Sequence, residues 1–306
     1  MTGYSLNQRL LRPLSKVDFF RLAEMWQEVT ITIEIIGMGG FASSPSLLNK
    51  LRGAMGAIFR ESGSDPVQNR NPCNWSPACA SEVFFGIRPR IAIGASASEI
   101  TKPYILFAHQ KGRNLLVGVS VFGTARDHIP EVRAALVQAL RTRVRWRQLA
   151  KDRGLFVPAS IEISNLSTVE TNSITLPPTP RQIRLEFASP LDAERGQLAE
   201  NPNLIFDRLA RRLYMMARWL DAEISTDWTS LEQSWLNCTC WLPDQDVSSG
   251  KFPGGHKFKN KVVRNQVVSI QGDLAQLWPL LVIGERTNLG RGANIGLGKY
   301  TVFLED

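Results

Sequence analysis

A glycine-rich stretch near the end of the chain has the residue types and the spacing to bind phosphate groups. Its glycines are Gly290, Gly292, Gly296 and Gly298, and its basic residues are Arg286, Arg291 and Lys299. Glycine permits backbone angles with φ > 0 and lets a ligand approach the main chain closely. Bare N–H groups flanked by basic side chains suit a chain of phosphates. We therefore predict a phosphate-binding loop over residues 284–299, followed by a final strand that begins at Tyr300.

A nucleotide-binding P-loop, with the pattern Gly-x-x-x-x-Gly-Lys-[Ser/Thr], is excluded for this stretch. Ala293 occupies the position of the first glycine, and Tyr300 occupies the Ser/Thr position. An ordinary turn between two strands remains the alternative, although loops so rich in glycine and basic residues are rarely only connectors.

A helix is predicted over residues 130–153, and its second half is rich in arginine. Leu136 and Leu140 lie on one face of this helix, and at ~100° per residue Arg143 and Arg147 fall on the same stripe. A helix packed on the core could not hold two arginines on that stripe without burying their charge. We therefore predict that the second half leaves the body of the protein and protrudes into solvent.

The protruding half would expose a set of basic residues: Arg141, Arg143, Arg145, Arg147, Lys151 and Arg153. Trp146 and Leu149 would be partly exposed beside them. An arginine-rich helix with an aromatic residue suits a nucleic-acid groove or backbone. The alternative is a solvated charged face that has no ligand, which is the more common meaning of a run of charges.

Composition bounds the class of protein. The 306 residues are 43% hydrophobic, which is enough for one large domain or two medium ones. The net charge of +8 favours attraction to nucleic acid or to an anionic membrane surface. No apolar run long enough to span a membrane is present, and the first residues lack the apolar core of a signal peptide. With too few cysteines for a disulfide scaffold, the chain is expected to be cytoplasmic and to have no membrane partner.

Two halves with the same order of elements are predicted on either side of a proline-rich linker at residues 171–180. Each half starts with a strand and an amphipathic helix and ends in strands. The predicted strands or β-like runs lie at residues 29–36, 82–86, 90–94, 104–108, 115–122, 161–166, 183–191 and 238–242. The predicted helices include residues 45–60 and 203–220. We therefore expect an α+β protein with domains at residues 1–170 and 181–306.

Several short segments resemble, in order and spacing, one group of CRISPR repeat-processing endoribonucleases of the RAMP superfamily. Arg52-Gly53-Ala54-Met55-Gly56 resembles the Arg-Gly-Ala-Phe-Gly start of the first helix in that group. Residues 102–106 and 121–125 resemble later segments of the same domain, and residues 183–191 and 290–300 resemble its C-terminal domain. Each motif is weak alone, but together they span roughly 250 residues in the order of the family.

This resemblance implies two tandem ferredoxin-like (RAMP/RRM-like) domains, carrying the protruding arginine-rich helix and the C-terminal glycine-rich loop. It also implies a metal-independent endoribonuclease that binds the stem-loop of the CRISPR repeat. Such an enzyme cuts precursor crRNA once per repeat by attack of a 2′-OH, gives mature crRNA and stays bound to it. The implied partner is CRISPR repeat RNA, with other CRISPR effector subunits as further candidates. Neither a cofactor nor a metal is expected.

Two departures from the family leave alternatives open. Relatives often carry a histidine directly after the Arg-Gly-Ala-Phe-Gly motif, where this chain has Ala57. A non-catalytic RAMP subunit that binds the crRNA repeat end, or a type IV variant, is therefore an alternative. Relatives often have a fuller cysteine cluster where only Cys73 and Cys79 remain, and their spacing, with that of Cys238 and Cys240, is poor for zinc.

Metal-free RNA cleavage needs a base for the 2′-OH, stabilisation of charge at phosphorus and a proton for the 5′ leaving oxygen. Histidine is the usual acid or base because its pKa lies near neutrality. His256 follows two glycines and precedes three lysines on an alternating strand, which makes it the best candidate, although it could equally well only contact phosphate. His128 precedes the arginine-rich helix, and His109 follows a strand and is expected to be structural. Arginines acting without titration are the remaining alternative.

The sequence thus gives two sets of candidate site residues. The catalytic candidates are His256, Arg143 and Arg147. The RNA-binding candidates are Arg141, Arg145, Lys151, Lys257, Lys259, Lys261, Arg264, Arg286, Gly290, Arg291, Gly292, Gly296, Gly298 and Lys299.

Overall fold

A computed structural model describes residues 5–44, 46–151, 154–189, 191–192, 201, 203–241, 262–263, 267–290 and 292–305. The α-helices in these ranges are α1 (Leu6–Leu11), α2 (Phe19–Glu24), α3 (Leu47–Glu61), α4 (Asp65–Gln68), α5 (Ala80–Phe85), α6 (Ile129–Gln138), α7 (Trp146–Lys151), α8 (Leu204–Ala217), α9 (Trp228–Leu236) and α10 (Trp278–Thr287). None of these described helices is long and apolar enough to cross a membrane.

The strands in the same ranges are β1 (Ser15–Val17), β2 (Glu28–Ile35), β3 (Arg90–Ile93), β4 (Ser96–Glu99), β5 (Tyr104–Lys111), β6 (Asn114–Phe122), β7 (Ile163–Thr171), β8 (Gln182–Phe187), β9 (Leu191–Asp192), β10 (Ala222–Ile224), β11 (Thr239–Trp241), β12 (Val262–Val263), β13 (Val267–Gln271) and β14 (Tyr300–Glu305). Most of them belong to two four-stranded sheets, one in each half of the chain.

The first sheet has the strand order β5-β6-β2-β7, and its neighbours run antiparallel. Its central strand β2 forms because apolar and polar residues alternate, so that Ile31, Ile33 and Ile35 are buried in the core. Along the chain the elements follow the order β2-α3-β5-β6-α6-β7, with α4, α5 and the hairpin β3-β4 inserted after α3. The two edges of this sheet are therefore β5 and β7.

The second sheet has the same spatial order of strands, and the same order of elements along the chain, as the first. Its strand order is β11-β13-β8-β14, again antiparallel, and its elements follow the order β8-α8-β11-β13-α10-β14. Helix α8 is amphipathic: Leu209, Leu213 and Met216 recur at helical spacing and are all buried, and the helix packs against α10. The structure thus confirms a mixed α+β protein with antiparallel sheets.

The two halves are joined by a pairing between distant strands. β1 pairs with β10 in parallel, and Ser15 lies opposite Ala222. Nearby, the Trp219 indole N–H donates to the carbonyl of Thr101 at 2.8 Å. The apolar residues of both halves belong to one continuous core. The division into domains at residues 1–170 and 181–306 stays a prediction.

Residues 82–86, which we predict as a β-like run, belong for the most part to helix α5. This prediction is wrong because a short apolar run fits a buried strand and a buried helix equally well. Ala80, Val83 and Phe84 recur at helical spacing and are buried. Phe84 stacks on Phe59 of α3 with 5.5 Å between the ring centroids, so that α5 covers α3.

The predicted continuous helix over residues 130–153 is also wrong. Helix α6 ends in a π-helical turn, Ala139–Arg143, and Val144 is extended with φ −71° and ψ 121°. The chain then forms the separate helix α7, in which Trp146 is only 5% exposed and Leu149 is buried. The break at Val144 changes which side of the chain faces the core. The apolar residues of α7 are therefore buried while the arginines stay exposed. The arginines are exposed, as predicted, but the second half of the segment packs on the core and does not protrude into solvent.

Candidate functional site

The glycine-rich loop is shorter than predicted. Helix α10 continues to Thr287, so Gly284 and Arg286 lie in its last turn rather than in a loop. The glycine loop is therefore residues 288–299. Its glycines all have positive φ, with values of 82° for Gly290, 76° for Gly292, 80° for Gly296 and 66° for Gly298. A side chain would be strained at each of these positions.

Hydrogen bonds within the glycine loop hold it in one conformation. The Leu289 N–H donates to the Gly298 carbonyl at 2.9 Å, which closes the loop at its base. The Ile295 N–H donates to the Gly292 carbonyl at 2.9 Å, and the Asn288 side-chain amide donates to the Ala293 carbonyl at 3.3 Å. A ligand would therefore meet a loop whose shape is already set.

The glycine loop packs against the edge of the first sheet. A Cβ atom at Gly296 would lie 2.8 Å from the Leu48 side chain and 2.9 Å from the Leu106 carbonyl oxygen. Leu48 belongs to α3 and Leu106 to the edge strand β5. Glycine is thus required at this position both by its φ and by the closeness of the first half. The loop of the second half and the edge strand of the first half form one surface.

Arg212 of helix α8 connects the glycine loop to the first half. It is 7% exposed. Its Nε donates to the Thr287 carbonyl at 2.6 Å, Nη1 to Thr101 Oγ1 at 3.0 Å, and Nη2 to Asn294 Oδ1 at 3.2 Å. Burial lowers the pKa of Arg212 to about 10. Sequence reasoning missed this residue, although an arginine on the apolar stripe of an amphipathic helix is a signal that could have found it.

His109 lies beside the glycine loop, on the edge strand β5. Its imidazole is exposed and stacks on Phe107 with 6.0 Å between the ring centroids. Burial of part of the ring lowers its pKa, and the positive charge of Lys299 lowers it further. His109 is therefore neutral near pH 7 and able to accept a proton.

Lys299→Gln is expected to raise the pKa of His109, because it removes a positive charge that disfavours the imidazolium form. Burial, the larger cause, stays, so the pKa should remain below the ordinary value of 6.5. Any stability linked to neutral His109 is present above pH 6.5 and is lost as the pH falls through the lower folded-state pKa. NMR titration of the ring measures the change. Arg286→Gln, which also removes one exposed positive charge but leaves Lys299 in place, is the control. Equal His109 titrations in Lys299→Gln and wild type would contradict the interaction.

A second basic surface, the arginine surface, lies at the end of helix α6 and on α7. It consists of exposed residues Arg141, Arg143, Arg145, Arg147 and Lys151. Arg143 Nη2 pairs with Glu61 Oε2 of α3 at 2.7 Å, and both side chains remain about half exposed. Such an exposed pair contributes little to stability, about 0–1 kcal/mol. Most of the positive charge of this surface is therefore open to a ligand.

Helix α3 lies between the two basic surfaces and contacts one at each end. Leu48 near its start touches the glycine loop, and Glu61 at its end touches the arginine surface. At ~1.5 Å rise per residue, these two contacts lie roughly 20 Å apart along the helix.

The structure brings some of the predicted site residues together and separates others. The glycine loop carries Gly290, Gly292, Gly296, Gly298 and Lys299, with Arg286 exposed in the preceding helix turn. The arginine surface lies at the other end of α3. The remaining candidates lie outside the described residues: His256, Lys257, Lys259, Lys261, Arg264 and Arg291.

His128 does not lie in either basic surface. Its ring packs against Phe84 with 6.2 Å between the centroids, and Nδ1 lies 3.5 Å from Glu131 Oε1 without a well-formed hydrogen bond. Its side chain is 13% exposed. We therefore do not place His128 among the residues that reach a ligand at the glycine loop.

The cysteines form separate contacts in the two halves. The Cys79 N–H donates to Cys73 Sγ at 3.3 Å, while Cys238 packs against Gly272. Hydrogen bonds from Ser64 and from the backbone outweigh partial burial and lower the pKa of Cys73. Within the described ranges, no group of three or more His, Cys, Asp or Glu side chains could hold a metal ion.

No protein-family model matches the chain, and no curated protein matches its sequence. A structure of Cas6 in a substrate-mimic complex matches with a TM-score of 0.51 and 14% identity over 90% of this chain and 99% of the other. A Cas6 product complex matches with a TM-score of 0.52 and 13% identity at the same coverage. Over nine-tenths of its length the chain therefore has a fold that resembles that of Cas6, which confirms the predicted resemblance at the level of the fold.

Proposed function

We propose that the chain is a CRISPR repeat endoribonuclease that binds the repeat stem-loop, cuts precursor crRNA without a metal and stays bound to the mature crRNA. The observation that carries this proposal is the glycine loop, whose shape is set and which lies beside the edge strand that bears His109. The compared Cas6 structures are complexes with a substrate mimic and with product, which supports an RNA ligand.

We also propose that each half is a ferredoxin-like domain. The support is the repeated order of elements, strand-helix-strand-strand-helix-strand, together with the repeated order of strands in each sheet. In this arrangement the two domains face the RNA with different parts. The second domain offers the glycine loop, and the first offers its edge strand and the arginine surface.

The two basic surfaces would share the RNA. We expect the glycine loop and Lys299 to hold one part of the phosphate backbone and the arginine surface to hold another, with about 20 Å between the two surfaces along α3. Counterion release from both surfaces would supply much of the affinity. CRISPR effector subunits that later receive the crRNA are the further partners of this proposal.

Three groups are candidates for the chemistry of the cut. His109 is a candidate because it lies beside the glycine loop, and His256 is one because of its sequence context. Arg143 and Arg147 are candidates because arginines can stabilise charge without titrating. In each case the 2′-OH loses a proton as it attacks phosphorus, and the 5′ oxygen gains one as it leaves. Positioning of the attacking oxygen in line with the leaving oxygen supplies the rest.

Purified protein is expected to cut its cognate repeat RNA once in the presence of EDTA. One 2′-deoxy substitution, at the nucleotide before the cut, should abolish the cut because it removes the nucleophile. His109→Ala, His256→Ala and Arg143→Ala in the same assay identify the catalytic group, which should lower the cleavage rate by about 100-fold or more. Gln110→Ala, the exposed neighbour on β5, is the control. Cleavage that needs Mg²⁺ would contradict the proposed mechanism.

A non-catalytic RAMP subunit that binds the crRNA repeat end is the second candidate function. The observation in its favour is Ala57, half-buried in α3 where relatives often carry a histidine. Tight binding of the repeat hairpin without any cut, in EDTA and in Mg²⁺ alike, would establish this function instead.

A further inference from the structure

Arg212 touches three separate parts of the protein from a buried position. Thr287 is the last residue of α10, Asn294 lies in the middle of the glycine loop, and Thr101 lies in the first half, between β4 and β5. The first bond caps the carbonyl end of a helix, where a positive charge is favourable. Because Thr287 and Asn294 lie on either side of Gly290 and Gly292, Arg212 holds the loop on both sides of these two glycines.

No carboxylate of the described residues pairs with Arg212. Its neighbour Arg211 differs, because it binds Asp207 through Nε at 2.9 Å and donates to the carbonyl of Ile93 at 2.7 Å. Burying an arginine without a carboxylate is costly, and an apolar side chain of similar volume would often serve stability as well. Stability alone therefore gives a weak reason for an arginine at this position.

We propose that Arg212 is a positioning residue for RNA binding: it holds the glycine loop, before any ligand is bound, in the conformation that receives the phosphate backbone. This inference rests on the proposed function for the identity of the ligand. The three acceptors lie on different elements, and the planar guanidinium can reach all three at once. A lysine ammonium keeps the charge but cannot reproduce that fork of donors.

The effect of this positioning on affinity follows from populations. If the loop holds its binding conformation only a fraction f of the time, the apparent Kd rises by the factor 1/f. In wild type f is close to one, because both the internal hydrogen bonds and Arg212 hold the loop. In Arg212→Lys the loop keeps the bond from Leu289 to Gly298 but loses its connections to Thr101 and Asn294. We expect f to fall to about one-tenth, and therefore Kd to rise about 10-fold.

The test compares wild type, Arg212→Lys and Arg212→Met with the matched control Arg211→Lys. Hydrogen exchange of the Ile295, Gly296 and Leu297 amides in the free proteins reports loop opening. Kd for the cognate repeat RNA is measured at a temperature where circular dichroism shows each protein to be folded. The Arg212 variants should lose protection in the loop and bind more weakly, with the Kd of Arg212→Lys about 10-fold above that of wild type, whereas Arg211→Lys should change both by less than about 2-fold.

The outcomes separate the inference from the proposed function. If wild type does not bind repeat RNA, the proposed function fails, and the exchange data still decide whether Arg212 orders the loop. If wild type binds and the Arg212 variants keep its Kd, the positioning role is refuted, even when their melting temperatures fall. A rise in Kd without any change in loop exchange would equally overturn the inference. If Arg212→Met does not fold, Arg212→Lys alone carries the comparison.

Discussion

Gly298→Ala is expected to lower the free energy of unfolding by about 3 kcal/mol or more and to weaken RNA binding at least 10-fold. Two effects add at this position. Gly298 has φ +66°, where alanine is strained by about 1–2 kcal/mol. A Cβ atom would also overlap the carbonyl oxygen of Leu289, which is backbone and cannot move aside. Leu289 and Gly298, whose hydrogen bond closes the base of the glycine loop, would then be forced apart.

The matched control for this prediction is Gly112→Ala. Gly112 has a similar φ of +58°, in the turn between β5 and β6, but a Cβ atom there would meet nothing within 4 Å. Gly112→Ala is expected to lower the free energy of unfolding by the conformational strain alone, about 1 kcal/mol. Urea unfolding of both variants measures the difference. Equal losses would show that the backbone angle matters and the close packing of the loop does not.

Trp146→Ala is expected to lower the free energy of unfolding by about 3–5 kcal/mol, as is usual for the loss of a buried tryptophan. The indole packs edge-on against Phe41 with 5.3 Å between the centroids, and its N–H donates to the Leu140 carbonyl at 2.8 Å. That hydrogen bond ties α7 back to the end of α6. Its loss should also disorder the arginine surface and weaken RNA binding.

Gln148→Ala, an exposed change in the same short helix, is the control for Trp146→Ala and should stay within about 0.5 kcal/mol of wild type. Tryptophan fluorescence and urea unfolding together follow both variants. A Trp146→Ala protein as stable as wild type would favour the projecting helix that the sequence predicts over the packed helix of the structure.

Elements with long, regular patterns were predictable from the sequence. β2 alternates over eight residues, and α8 keeps one apolar stripe over its whole length, so each has a single arrangement that buries its apolar residues. Short segments were not predictable, because α5 buries only four residues and its pattern fits two structures.

The arginine-rich segment shows a different limit of sequence reasoning. Its charges do lie in solvent, as electrostatics requires, but the chain meets that requirement with a break at Val144 instead of a projecting helix. A helical wheel assumes an unbroken helix, so it cannot register such a break. Trp146 and Leu149, both apolar, were the residues that signalled a return to the core.

The candidate site could be predicted only in part from the sequence. Glycines with nearby basic residues identify a loop on their own, and the loop indeed has four positive φ values. The partners that set its shape are distant in sequence: Leu48, Leu106 and Arg212. Such contacts depend on how the two halves pack, which a pattern within one segment does not contain.

The parallel pairing of β1 with β10 has a consequence for how the protein is made. Ser15 is synthesised early, but its partner Ala222 leaves the ribosome about 200 residues later. At roughly 5–20 residues per second, the first strand waits on the order of 10–40 s, long enough for the first sheet to form without it. Strand β1 thus meets its pairing partner only after the first sheet has had time to form. Truncated nascent chains that end before residue 222 should leave it open to protease.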